Sequence, residues 1–357
     1  MPTSLDLEGD VLDLLRNLVD VESVSGNEQP IADLVEAALR PYPHLVVSRE
    51  GNVVIARTEL GRPERVVVAG HLDTVPIAGN VPSTVTEEDG RTLVWGRGAC
   101  DMKGGVAAQL SAAAALARPR RDVTWLFYDN EEVEERLNGL NRLAASHPEH
   151  LDGVFAVLCE PSNARIEGGC QGTMRAVVEL AGVAAHSARS WKGHNAIHDA
   201  GPVLQALAAH QPQQVLVDGL TYREGLNAVT ITGGIAGNVI PDRCVVEVNY
   251  RFAPDKSPAQ AEAYVRQVLD GFPVRVTDVA AGARPGLDQP AAAEFLEAVG
   301  GEPSAKFGWT DVARFSARGV PAVNFGPGDP SKAHADDEFC PADEVGSCRD
   351  ALVRWLS

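Results

Sequence analysis

The sequence predicts an α/β protein in which a mainly parallel-sheet domain is interrupted by a smaller ferredoxin-like α+β domain. Three observations carry that expectation. In the first and last thirds, short apolar runs alternate with helical stretches, as parallel strands joined by helical crossovers require. Near Thr173 the rhythm changes to strand, helix, two strands, helix, strand, which is the ferredoxin-like order. Gly282–Pro290, rich in Gly and Pro, marks the return to the first rhythm. Residues 1–172 and 283–357 are therefore expected to form one discontinuous domain, with 173–282 inserted in it.

The individual elements follow from periodicity. Residues 9–20 and 29–40 carry apolar positions at helical spacing, and Ser25-Gly26-Asn27-Glu28 supplies a start for the second. Val53–Ala56, Val66–Ala69, Val123–Tyr128 and Val154–Leu158 read as buried strands, and alanine-rich Gly104–Ala117 as a helix between the second and third. In the insert, strands are expected at Met174–Leu180, Ala228–Ile235, Cys244–Phe252 and Val274–Val279, and helices at Asn195–Ala209 and Pro258–Leu269. A helix at 291–299, one around Asp311–Arg318, a strand at Pro321–Phe325 and a terminal helix at 343–356 complete the chain.

Composition excludes several classes of function. At 357 residues and 45% apolar content the chain can bury a substantial core. A net charge of -18 speaks against nucleic acid or an anionic membrane as partner, because phosphate recognition needs clustered Lys and Arg. No apolar run approaches a membrane span, and the acidic N-terminus lacks a signal-peptide layout. Six cysteines without CxxC spacing fit reduced thiols, so a cytoplasmic location is expected. GRGACD lacks the third glycine of a dinucleotide fingerprint, which argues against a nicotinamide-dependent oxidoreductase. There is no GxSxG elbow, which argues against a serine hydrolase.

The residues that follow each strand carry the chemistry. Val66–Gly70 leads to His71 and Asp73, and Thr92–Gly98 leads to Asp101 before a glycine-rich helix start. Val123–Tyr128 leads to Glu131 and Glu132, Val154–Cys159 to Glu160, and Pro321–Gly328 to His334. Ligands of open α/β sheets bind beyond the carboxyl ends of the strands. Carboxylates gathered there repel one another unless a cation neutralises them. Imidazole and carboxylate without thiolate suit zinc, with cobalt or manganese as substitutes. If Asp101 bridges two ions, each receives three protein groups and keeps an open position, the pattern of a catalytic zinc site. Asp73 is expected to accept the second ring N–H of His71. Adjacent Glu131 and Glu132 are expected to point opposite ways on an extended chain, one ligating and one acting as base.

GHLDTVP (70–76), GRGACDMKGG (96–105), YDNEEV (128–133), CEPS (159–162) and the His334 segment resemble the motifs of the M20 metallopeptidase family. That group includes succinyl-diaminopimelate desuccinylases, acetylornithine deacetylases, aminoacylases and some carboxypeptidases. The resemblance implies a di-zinc aminopeptidase-like catalytic domain with an inserted lid and dimerisation domain, two Zn2+ per subunit, and a homodimer. It implies that His71 and Glu160 hold one ion, Glu132 and His334 the other, with Asp101 between them. Glu131 would be the general base, Asp73 the partner of His71, and His186 an oxyanion stabiliser reaching across the dimer. A cis peptide after Asp101 is also implied.

EGGCQGT (167–173), AHSARSWKGHNAIH (185–198), TYREGLNAV (221–229), AGNVIPD (236–242), NYRFAPD (249–255), KFGWTDVARF (306–315) and NFGPGDP (324–330) look like the desuccinylase branch found in actinobacteria. The substrate implied is N-succinyl-LL-2,6-diaminopimelate, hydrolysed to succinate and LL-2,6-diaminopimelate in lysine biosynthesis. Arg251, Asn238, Thr310 and Arg189 are the implied substrate contacts. The chain departs from better-known desuccinylases at Cys170-Gln171, where they carry an arginine pair that seats a carboxylate. Another deacylase activity, such as acetylornithine deacetylase, is the nearest alternative, and a metal-binding protein without catalysis is the alternative of a different class. His44, His147, His150, His194, His198 and His210 read as ordinary histidines.

Overall fold

A computed structural model describes residues 2–357. The chain divides into two units. The first runs to Gly168 and resumes at Pro285–Ser304 and Arg314–Ser357, and the second comprises Gly169–Arg284 and Ala305–Ala313. The short segment 305–313 thus joins the second unit, a detail with no sequence signal.

The first unit is built on an eight-stranded sheet. Its centre is four parallel neighbours in the order Asp122–Tyr128, Arg65–His71, Phe155–Leu158, Ala322–Asn324. Outside them, Val53–Arg57 pairs antiparallel with the first and with Val46–Glu50. The parallel strands read as continuous apolar runs because both faces are covered. Val66, Val67, Val68 and Ala69 are all fully buried, as are Val123, Trp125, Leu126 and Phe127. The helix Gly104–Ala115 is apolar apart from Gln109 and Ser111, lies buried as far as Ala114, and packs in one core with the terminal helix Ala342–Leu356. A separate three-stranded ladder, Thr84–Glu88, Arg91–Trp95 and Phe339–Pro341, completes this unit.

Two glycines allow backbones to close on the end of one central strand. A Cβ on Gly105 would lie 2.0 Å from the Cys159 carbonyl oxygen, and one on Gly326 would lie 2.3 Å from the same oxygen. Both positions therefore exclude any side chain, which brings the glycine-rich helix start against the residue that precedes Glu160.

Asp122 ties the loop after Val53–Arg57 to the sheet. Its carboxylate accepts from Thr58 Oγ1 at 3.0 Å, Leu60 N at 2.8 Å and Arg62 N at 2.8 Å. Burial pushes its pKa up, but the Leu60 and Arg62 amides and the Thr58 hydroxyl outweigh that and hold it below 3.8. A carboxyl lowered on folding stabilises fully above its unfolded value and loses that contribution as pH falls through the folded value. Asp122→Asn is expected to cost on the order of 1–3 kcal/mol at neutral pH, measured by denaturant unfolding. The difference from wild type should shrink toward pH 3, and a constant difference would contradict this account.

The second unit holds a four-stranded antiparallel sheet in the order Gly225–Gly233, Arg243–Phe252, Gly172–Ala181, Val274–Ala280. Numbered along the chain, that is 2-3-1-4, the ferredoxin-like arrangement. Helices Ala196–Ala209 and Pro258–Val268 share its core through Ala200, Val203, Leu207, Ala261 and Val265. A hairpin of Gln214–Val217 and Leu220–Arg223 is added. It turns at Asp218 (φ 46) and Gly219 (φ 88), a two-residue turn in which positive φ at both centres matches the strand twist. Among the described residues no helix is long and apolar enough to cross a membrane.

Candidate metal centre

The four parallel strands of the first unit end side by side, and each delivers chemistry at its carboxyl end. His71 is the last residue of its strand and lies opposite Tyr128 in the ladder. Asp129–Glu132 follow Tyr128, Glu160 follows Leu158 by two residues, and the chain beyond Asn324 runs to His334. Asp101 enters from the side, in the turn that feeds the helix Gly104–Ala115, and its peptide bond to Met102 is cis.

The structure brings these side chains into overlapping groups. Donor atoms of His71, Asp101 and Glu160 lie within 4.8 Å of one another, as do those of Asp101, Glu132 and His334. Asp101 belongs to both, and its two oxygens face different rings. Oδ1 is 3.1 Å from His71 Nε2, and Oδ2 is 3.5 Å from His334 Nε2. Glu132 Oε1 lies 2.9 Å from His334 Nε2. His71 and Glu160 are buried, whereas the His334 side chain is 54% exposed and adopts a left-handed φ of 66°.

Asp73 holds the constellation from behind. Its buried carboxylate accepts from Glu131 N at 3.0 Å, Glu132 N at 3.1 Å and Ser25 Oγ at 2.7 Å. The nearest acceptor for His71 Nδ1 is the main-chain oxygen of Asp73 at 3.0 Å, with the carboxylate Oδ1 at 3.5 Å. The expected carboxylate contact is thus the longer of the two, because that carboxylate is occupied by the Glu131 and Glu132 amides. The adjacent glutamates are also not splayed apart. Asn130 takes φ 57°, the chain bends rather than extends, and donor atoms of His71, Glu131 and Glu132 fall within 4.8 Å. An alternation argument fails where the backbone leaves the β region. Ser25, far away in sequence, has no signal that predicts its place here.

Electrostatics fit a cation at this point. Burial disfavours a charge on His71, yet hydrogen bonds to Asp101 and Asp73 raise its pKa well above the ordinary value. Hydrogen bonds to Asp101 and Glu132 raise that of His334 to about 10. Burial works against ionised Asp101, but the two imidazoles hold its carboxyl well below the usual range. Each imidazole is therefore held charged only by carboxylates that a divalent ion would satisfy in the proton's place. His71 presents Nε2 because Nδ1 is engaged by Asp73, and Asp101 offers one oxygen to each side. Imidazole and carboxylate without thiolate match zinc or a related borderline ion. The donor set fits two ions sharing Asp101.

The remaining expected residues lie in the second unit. His186 is exposed, and its Nδ1 accepts from Ala188 N at 3.1 Å, so a neutral ring carries its proton on Nε2. The amide of the next residue, Ser187, donates to Asn238 O at 2.9 Å, which places Asn238 beside it. Arg251 is partly buried and makes no ion pair among the described residues. Burial lowers its pKa, and Arg175 lowers it further. Thr310 O accepts from Cys170 Sγ at 3.7 Å. Arg189 is exposed and joins none of these contacts. Cys170 and Gln171 are buried, and Gln171 Nε2 donates to Arg223 O at 2.8 Å. They pack inward rather than replacing the charge of an arginine pair.

The Peptidase family M20/M25/M40 profile matches residues 67–357. The chain is 52% identical over 355 residues to a candidate succinyl-diaminopimelate desuccinylase of Mycobacterium tuberculosis, covering 99% of each. It is 48% identical over 364 residues to the succinyl-diaminopimelate desuccinylase of Corynebacterium glutamicum, covering 99% of this chain and 98% of that one. In fold it is similar to the YXEP protein of Bacillus subtilis, described as a dinuclear metal-binding peptidase, with a TM-score of 0.72 at 16% identity over 97% and 96% of the two chains.

Proposed function

Since this chain belongs to the peptidase family M20/M25/M40, we propose that it is a metal-dependent hydrolase of the linear amide in N-succinyl-LL-2,6-diaminopimelate, releasing succinate and LL-2,6-diaminopimelate. The likeness to two desuccinylases over almost the whole chain carries the substrate. The single geometric observation behind the chemistry is Asp101, whose two oxygens each face a different imidazole.

In this reading His71 and Glu160 would hold one ion and Glu132 and His334 the other, with Asp101 shared between them. Zinc is the proposed metal. Ions bound there would acidify a water and polarise the scissile carbonyl. Glu131 accepts the proton of the attacking water and returns it to the departing amine. The Asp73 carboxylate fixes the Glu131 and Glu132 amides, so both glutamates are oriented before substrate arrives. His186 donates from Nε2 to the developing oxyanion. Arg251 receives a substrate carboxylate, with Asn238, Thr310 and Arg189 as further contacts. Partial burial without an acidic partner supports that role for Arg251.

A homodimer through the second unit and a cytoplasmic location belong to the same proposal. The edge strand Gly225–Gly233 exposes Val229 at 57% and Ile231 at 47%, an unpaired apolar edge that a partner would cover. All six cysteines are free and buried, as suits a reducing compartment.

A parallel assay tests the substrate. Purified protein is given succinyl-diaminopimelate, acetylornithine and a dipeptide, each with chelator and with added zinc. Succinyl-diaminopimelate should be turned over with the highest kcat/KM, the rate vanishing with chelator and returning with zinc. A preference for acetylornithine or the dipeptide would overturn the substrate.

A further inference from the structure

We infer that a buried ion pair, Arg97 with Glu338, clamps the segments that carry His71, Asp101 and His334, and so sets the affinity of the metal centre. The inference rests on the dinuclear reading above.

The pair arises from strand register. Trp95 lies opposite Phe339 in the three-stranded ladder. Continued by one step, that register sets Gly96 opposite Glu338, and Gly96 N donates to Glu338 O at 3.0 Å. Arg97 and Glu338 therefore emerge together, 3% and 1% exposed, where the ladder gives way to the ligand loops.

Glu338 reaches the Asp101 turn. Its Oε1 accepts from Cys100 N and Asp101 N, both at 3.0 Å, and its Oε2 from Gly98 N at 3.0 Å and Arg97 Nη1 at 2.9 Å. The amide of a proposed ligand is thus pinned by a carboxylate four residues beyond another ligand, His334. Arg97 reaches the other two segments. Its Nε donates to Pro76 O at 3.0 Å, in the loop that follows His71 and Asp73, and its Nη1 donates to Ala335 O at 3.0 Å, next to His334.

Only this pair of residue types makes all the contacts. A carboxylate accepts four donors, whereas a glutamine in its place turns an NH2 group toward N–H groups. A guanidinium fans its donors to several acceptors, which a lysine ammonium does not. His334 is the half-exposed ligand in a left-handed conformation, so its place depends most on anchors at 335 and 338. Arg97 and Glu338 are positioning residues. Neither needs to touch substrate or metal.

The test is zinc affinity, read by competition with a chromophoric chelator, together with ion count and thermal unfolding of the metal-free proteins. Glu338→Gln should bind zinc about 10–100-fold more weakly, the usual cost of losing support behind metal ligands. Arg97→Lys should show a smaller loss in the same direction. Glu224→Gln is the control for mere loss of a buried carboxylate, since Glu224 accepts from Tyr250 Oη, Ala253 N and Lys256 Nζ in the second unit. It should lower the unfolding temperature and leave zinc affinity unchanged. Wild-type zinc affinity in both Glu338→Gln and Arg97→Lys overturns the clamp. Should Glu338→Gln fail to fold, Arg97→Lys decides: weakened binding supports the clamp, and unchanged binding overturns it. If wild-type protein itself binds no zinc pair, the dinuclear reading has failed, which is a separate result.

Discussion

Glu131→Gln is expected to lower kcat by on the order of 10²–10⁴-fold, the usual worth of a positioned acid–base group, while the protein keeps both ions. The reason lies in how the two neighbouring glutamates differ. Glu132 faces His334 at 2.9 Å and shares a donor group with Asp101. Glu131 falls in the group with His71 and Glu132 but not in the one with His334. Both amides are bound by Asp73, so an isosteric amide at position 131 should leave the backbone and the ligand in place. What it removes is the ability to take a proton. Glu132→Gln is the informative companion, since it should lose an ion rather than a proton acceptor. Metal analysis beside steady-state kinetics separates the two, and near wild-type turnover in Glu131→Gln would remove that residue from the base role.

Asp101→Asn should act on ion content, turnover and stability together. Its carboxylate serves two imidazoles at once, so both ion sites lose a charged ligand together. Bound ions fall from two to at most one per chain. Turnover should drop by about three orders of magnitude or more, because ion-derived stabilisation of several kcal/mol is lost. Thermal unfolding offers a second readout. A ligand that binds only the folded state stabilises by about 4 kcal/mol at a thousand times its Kd. Wild type should therefore unfold at lower temperature with chelator, and Asp101→Asn should respond far less. A variant that kept two ions and a tenth of the rate would show that Asp101 does not bridge.

Much of this centre is legible in the sequence, for a physical reason. Parallel strands buried on both faces must be apolar runs, and the residues just past them must line the crevice. His71, Glu131, Glu132 and Glu160 could therefore be placed by counting from strand ends, which the structure gives at Tyr128 and Leu158. What escaped was everything decided by backbone geometry rather than side-chain pattern. The bend at Asn130 converges two glutamates that alternation would separate. Ser25, Arg97 and Glu338 are polar residues in loops, and nothing in their spacing shows which of the segments around the centre they brace. The Asp218-Gly219 hairpin also went unread, although Asp-Gly between short apolar runs is a hairpin signal. The strand Thr84–Glu88 is exposed throughout, so no burial pattern marks it.

The most direct measurement is an anomalous-scattering map from crystals grown with zinc. Two peaks should appear, one among His71, Glu160 and Asp101 and the other among Asp101, Glu132 and His334. No peak on either side of Asp101, or zinc only at the cluster of exposed His147 and Glu149 with half-buried His150, would contradict the assignment of a dinuclear centre to these strand ends.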